Sequence, residues 1–278
     1  MRKGIIAFLL FTLTLIYSCE DDWFISPIEN NLSFKSKLSS YNLFQHPLSD
    51  LKPGENTFKY ELNTPLFTDY ASKHRVIKLP NNQQLSIQSK SQIVFPEGSI
   101  IAKTFFYKRS QLPANEGQRI LETRLLILHN GKWNVGVYKW NENQTEAYLV
   151  EDGASISMAQ VLPNGKVEHF TYEIPSNADC TTCHNKNNKV SPIGPKVANL
   201  NIPHIGGNIL SQLDSWIKSG YLNALTDETL PELPQWDNSN HSFSQRARAY
   251  LDVNCAHCHN PKGVASSWSL DLRYTRPH

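Results

Sequence analysis

Cys180-Thr181-Thr182-Cys183-His184 and Cys255-Ala256-His257-Cys258-His259 repeat one five-residue pattern: two thiols three positions apart, with an imidazole directly after the second. Thiols at that separation on a helical turn can each add across one of the two vinyl groups of a single haem, giving two thioethers. The histidine that follows is then held beneath the iron as an axial ligand, so C-x-x-C-H is the attachment signature of c-type haem. Two such patterns imply two covalent haems, with Cys180, Cys183, Cys255 and Cys258 as attachment residues and His184 and His259 as iron ligands. A zinc site made of two C-x-x-C pairs is the rival reading, but its pairs ordinarily stand about 15–20 residues apart. Cys183 and Cys255 are much further apart than that. A thioredoxin-like dithiol would need a βαβ frame, which surrounds neither pair.

The far side of each iron is less defined. A downstream methionine often ligates and raises the reduction potential. The chain has 2 methionines, Met1 and Met158, both upstream of the pentads. Met158 lies among strand-like residues and is expected to pack in a core. His204 is the leading candidate for the sixth ligand of the first haem, with His241 behind it. Downstream of the second pentad stands His278, at a terminus expected to fray.

These groups need a scaffold, and the pattern of turns and apolar residues predicts an α+β protein. Residues 51–172 read as an antiparallel β domain, a sandwich or barrel, punctuated by Pro80-Asn81-Asn82, Pro96-Glu97-Gly98, Asp152-Gly153 and Pro163-Asn164-Gly165. Asn130-Gly131 predicts the tightest hairpin, since both residues accept positive φ. Behind it Trp133, Val135 and Val137 fall on one face of a strand. Residues 173–278 read as a mainly helical, cytochrome c-like haem region. One helix is predicted from the stripe Ile209, Leu210, Leu213, Trp216 and Ile217, with Gly220 at its C-terminal cap. A second opens at the capping box Ser242 to Gln245, buries Phe243, Ala247, Tyr250 and Leu251, and runs into Cys255.

Residues 1–18 read as a lipoprotein signal peptide: Arg2 and Lys3, then an apolar stretch too short to span a bilayer comfortably. Ile16-Tyr17-Ser18-Cys19 resembles a lipobox, making Cys19 the lipidation site. Residues 19–50 are then a tether leading into the β domain, with Glu20, Asp21 and Asp22 resembling a surface-export signal. The expected location is outside the cytoplasm, on a lipid anchor, facing the periplasm or the cell surface. Composition fits a folded protein, at 40% hydrophobic and 19% charged residues, and a net charge of +2 gives no support for nucleic-acid binding.

The stretches YELNTPLFTDYASKHRVIKLP, VFPEGSIIAKTFFY, ILETRLLIL and RAYLDVNCAHCHNPKG, together with both pentads, resemble a family of bacterial exported di-haem c-type cytochromes. The likeness covers roughly residues 50–278. It implies electron transfer with redox-protein partners, and relatives associated with quinoprotein sugar dehydrogenases point to such a dehydrogenase as one partner. Family members continue past the second pentad with helical chain and a distal methionine. The ending here is therefore expected to be that of a truncated copy. Two other functions stay open. One is a peroxidase-type haem enzyme with an open iron, for which His74 beside Arg75 is the tempting pair, although a solvated strand face is the commoner setting. The other is a β-domain ligand-binding lipoprotein with Trp133, Tyr138 and Trp140 as a sugar platform, although alternating aromatics more often pack in a core.

Overall fold

The computed structural model describes residues 32–278, apart from 89, 91, 114–116, 163, 188, 204–209, 225–228 and 277–278. The expected signal peptide, Cys19, His204 and His278 lie outside those residues. In chain order the strands are β1 (Thr57–Lys59), β2 (Ser72–Lys78), β3 (Ser86–Gln88), β4 (Gln92–Val94), β5 (Ile100–Tyr107), β6 (Arg119–His129), β7 (Lys132–Trp140), β8 (Ala147–Leu149), β9 (Ala154–Val161) and β10 (Val167–Ile174). Helix α1 (Asn177–Cys183), the short strands β11 (Asn185–Lys186) and β12 (Lys189–Val190), and helices α2 (Val197–Leu200), α3 (Gln212–Lys218) and α4 (Phe243–Asn254) follow.

The α+β class and the β-rich N-terminal part are as expected, but the β architecture differs from a sandwich or barrel. Among the described residues one six-stranded antiparallel sheet runs in the order β1-β2-β5-β6-β7-β8, and β9–β10 pair as a separate hairpin. The Asn130-Gly131 turn has the positive φ its composition calls for, 51° and 68°, and sets the register His129↔Lys132.

Each face of this sheet is covered by irregular chain or helices rather than by a second large sheet. On one face, residues expected to be tether are packed. Leu38 and Leu43 are buried, Phe34 lies so close to Gly136 that a Cβ there would meet its ring at 2.5 Å, and Tyr138 Oη donates to the Lys35 carbonyl at 2.8 Å. On the other face Ile77, Ile101 and Leu126 join Val197 and Leu200 of α2, Leu213 and Trp216 of α3, and Leu222 in one core. The β9–β10 hairpin covers the far end of that face, where Met158 and Phe170 pack with Phe105 and Tyr107. The boundary expected at 172–173 falls inside β10, and the chain beyond it is not mainly helical: among the described residues, four helices of 4–12 residues and the β11–β12 pair are joined by irregular segments. That boundary does not divide two cores, and residues 33–278 form one compact unit.

Helix α4 begins at its expected capping box, Ser242 with Gln245. Helix α3 is shorter than the apolar stripe suggests: Ser211 caps it by accepting from Asp214 N, so exposed Leu210 precedes it, and Ile209 lies outside the described residues. The buried face of α4 differs from the expected one. Phe243 is 83% exposed and Leu251 is exposed, while Ala249 and Val253 are buried with Leu233. The cause is tertiary: the 231–236 loop, not the sheet, packs on this helix, with Arg246 Nε donating to the Trp236 carbonyl at 2.7 Å.

Candidate functional site

The first pentad is assembled by strictly local means. Ser176 caps α1, its hydroxyl accepting from Asp179 N, while Asp179 reaches back to the Ser176 amide. The single turn that follows puts Cys180 and Cys183 on the same side. Cys180 packs with Val137 and Ile174, so α1 is seated on β7. His184 ends the helix. The β11–β12 hairpin turns through Asn187, at φ 53°, and brings Ser191 back to His184. Two hydrogen bonds close it: Ser191 N to the His184 carbonyl at 2.8 Å, and His184 Nδ1 to the Ser191 carbonyl at 2.9 Å. Donation from Nδ1 to a carbonyl fixes the tautomer and leaves Nε2 as the lone-pair nitrogen, the arrangement that orients a metal-binding imidazole. Burial, with the nearby Lys103 charge, pushes the His184 pKa down to about 4, so the ring is neutral and competent to ligate at neutral pH.

Cys180, Cys183 and His184 line a cavity of about 560 Å³, inside the ~300–1,000 Å³ range of ordinary ligand sites. Its apolar wall comes from Leu62, Leu66, Ile101, Leu126 and Val135, with Pro192 to Pro195 along the edge. Its floor is the sheet face between the two covering patches, and there the residues are charged. Arg75, Lys103 and Arg124 stand directly opposite one another on β2, β5 and β6, and Lys73 lies on the same side. Like charges directly opposite on a sheet are unfavourable, so this row needs compensation. Glu122, fully buried, takes Arg124 through two hydrogen bonds of 2.8 and 2.6 Å and a third from Tyr172 Oη at 2.6 Å. Glu61 lies 3.5 Å from Arg75. Lys103 sits over the Phe105 ring at 5.1 Å, and burial with the charges of Arg124, Arg75 and Lys73 pushes its pKa down to about 7. Burial and Arg75 likewise take Lys73 down to about 8. The expectation of a solvated face at His74-Arg75 is therefore corrected. Arg75 is 6% exposed, and His74, on the opposite side of β2, has a pKa lowered by burial to about 4.

The second pentad follows α4 without a break, Cys255 N and His259 N each continuing the helical pattern to Leu251 and Cys255. The two pentads meet at the cavity, whose lining takes Cys180, Cys183 and His184 from the first and His257 from the second. Cys255, Cys258 and His259 do not line the large cavity, but His257 does. His259 differs from His184 in its support, since its Nδ1 is buried with no hydrogen-bond partner among the described residues. Gly263 makes the close turn after this pentad, where a Cβ would meet the Cys258 carbonyl oxygen at 2.1 Å.

A haem can be tested against the first site from these residues alone. The cavity is large and mostly apolar, it presents two free thiols and an oriented neutral imidazole together, and cations on its floor match a ligand carrying carboxylates. The residues fit that group. A zinc site fits less well: among the described residues no cluster of three or more His, Cys, Asp or Glu side chains converges as a metal site requires. The four cysteines are free thiols.

Of the other expected residues, His241 lies in the turn before α4, away from the cavity, and Met158 is buried in packing, 3% exposed. Tyr138 and Trp140 are core residues, as their alternation suggests, and provide no exposed platform. Two features of the site carry no mark in the local sequence. The cation row depends on strand register, and His257 occupies a position that the attachment pattern leaves free. No helix among the described residues is long and apolar enough to cross a membrane. Comparisons of the chain with protein-family models, curated proteins and solved structures find no match.

Proposed function

We propose that this chain is an exported, lipid-anchored di-haem c-type cytochrome that carries electrons. The observation that carries the reading is the His184 arrangement: an imidazole with Nδ1 held by the Ser191 carbonyl, beside the thiols of Cys180 and Cys183, at the wall of a 560 Å³ cavity. Cys180 and Cys183 would hold the first haem, and Cys255 and Cys258 the second, with His184 and His259 as the imidazoles that would bind iron. When bound, haem supplies one-electron cycling between ferric and ferrous iron.

The chain's own residues tune that chemistry. The apolar walls exclude water from most of the cavity, and the carbonyl of Ser191 strengthens His184 as a donor. Arg75, with Lys73, would supply positive charge for the carboxylates of the group, which would otherwise be stranded in a low-dielectric site. In this reading the β domain is the floor of the first haem site. Cys19 would bear the lipid that keeps the carrier beside membrane redox partners, and a quinoprotein dehydrogenase is the proposed donor.

The test is a potentiometric titration of the purified, haem-loaded chain followed by its visible spectrum, then mixing with a reduced quinoprotein dehydrogenase. Reversible one-electron steps and reduction by the dehydrogenase are expected. Haem that cannot be cycled reversibly would defeat the carrier role.

A further inference from the structure

We infer that the first haem takes its sixth ligand from the second attachment loop, and that this ligand is His257. The inference rests on the haem reading above and deepens it. A cavity with an oriented imidazole on one side needs a donor elsewhere on its wall if the iron is to be six-coordinate. Among the described residues lining that cavity, His184 and His257 are the two histidines, and no methionine lines it. His257 Nδ1 is buried, and the Val253 backbone one turn back acts on the ring as a hydrogen-bonding partner.

The position of His257 is built, not incidental. Between Cys255 and Cys258 it lies on the part of the turn that the second haem's thioethers do not use. The turn itself is fixed to the first site from two directions. Lys196, just past the Pro192–Pro195 edge of the cavity, donates to Asp252 of α4 at 2.9 Å, and Asn254 at the end of α4 accepts from Phe67 N at 2.8 Å. Phe67 and Asn254 both line the cavity. The second pentad therefore has two duties, attaching its own group and closing the first. A chain ligated this way needs no methionine after the pentads, and its first iron is closed to small molecules.

The experiment uses the full chain exported with haem-attachment machinery, in a Cys255→Ala/Cys258→Ala background that isolates the first haem. Electron paramagnetic resonance and absorbance should show a low-spin iron with two imidazole ligands and no carbon monoxide adduct. His257→Ala should convert it to high spin and let it take up one equivalent of carbon monoxide, and added imidazole should restore the low-spin spectrum. His257→Met should stay low-spin and shift the potential upward, which keeps the test decisive if the alanine variant is poorly folded. A low-spin spectrum and potential unchanged in both variants would overturn this inference and leave the haem reading intact. A chain carrying no covalent haem would overturn both.

Discussion

At Lys103 the register places an ammonium opposite two guanidiniums, Arg75 on one neighbouring strand and Arg124 on the other. Burial is the main reason its pKa falls from 10.5 to about 7. Between those two values the unfolded chain holds a proton at this lysine that the folded chain has released. Stability of the haem-free protein should therefore rise as pH increases from about 7 toward 10.5. Chemical denaturation at a series of pH values checks this, and Lys103→Met should be more stable at pH 7 and show a smaller rise, the remainder coming from Lys73, lowered to about 8. At the acid end the sign is the same. His74 and His184, both lowered from 6.5 to about 4, stay neutral in the fold while the unfolded chain takes up protons, so stability should fall as pH drops through that window. None of this is legible at the level of residue type, because a lysine and two arginines far apart in sequence acquire a common environment only when three strands are aligned. The pentads are different. Their chemistry lies in consecutive residues, and the cap at Ser176 that positions the first is equally local.

At the scale of elements, the β11–β12 hairpin is the piece that fixes the orientation of the His184 ring. Its turn depends on Asn187 at φ 53°, a conformation asparagine tolerates and β-branched residues resist. Asn187→Val should destabilise the haem-free chain by about 1–2 kcal/mol, measured as a lower denaturation midpoint, and should shift the potential of the first haem as Ser191 moves from His184. A second element-level dependence is the Glu122–Arg124 pair. Glu122→Ala removes the partner of a largely buried guanidinium, and losses on breaking such pairs run to about 3–5 kcal/mol. The start of α4 and the body of α3 are legible from capping and hydrophobic spacing, but the short helices α1 and α2 and the face that α4 buries are not. Periodicity shows that a helix has an apolar side, and the neighbouring loop decides which residues of that side are covered. The same limit explains the expected sandwich: alternating strands require a covering layer, and here residues 33–50, α2 and α3 supply it.

For the whole molecule, the chain behaves as one structure in which the sheet is the middle layer. The cavity exists because two coverings of the sheet, the α2–α3 core and the β9–β10 hairpin, leave a charged gap between them, and α1 and α4 bring the pentads to its edge. Asp252 links these parts, accepting from Lys196 Nζ at 2.9 Å and from Tyr274 N at 3.0 Å. Asp252→Ala should cost about 1–3 kcal/mol, chiefly through the amide left without its acceptor. In the haem-loaded chain it should also raise the high-spin fraction at the first iron, because the loop bearing His257 loses an anchor. The central claim is that the first pentad holds a haem covalently over the sheet's charged floor. The most direct test is intact mass with a ferrous absorbance spectrum on the chain exported with haem-attachment machinery, comparing Cys255→Ala/Cys258→Ala with Cys180→Ala/Cys183→Ala. The account predicts that the first of these double variants keeps one covalent haem and the second loses the haem ligated by His184. A wild-type chain without added haem mass, or haem at that site surviving the loss of Cys180 and Cys183, would contradict it.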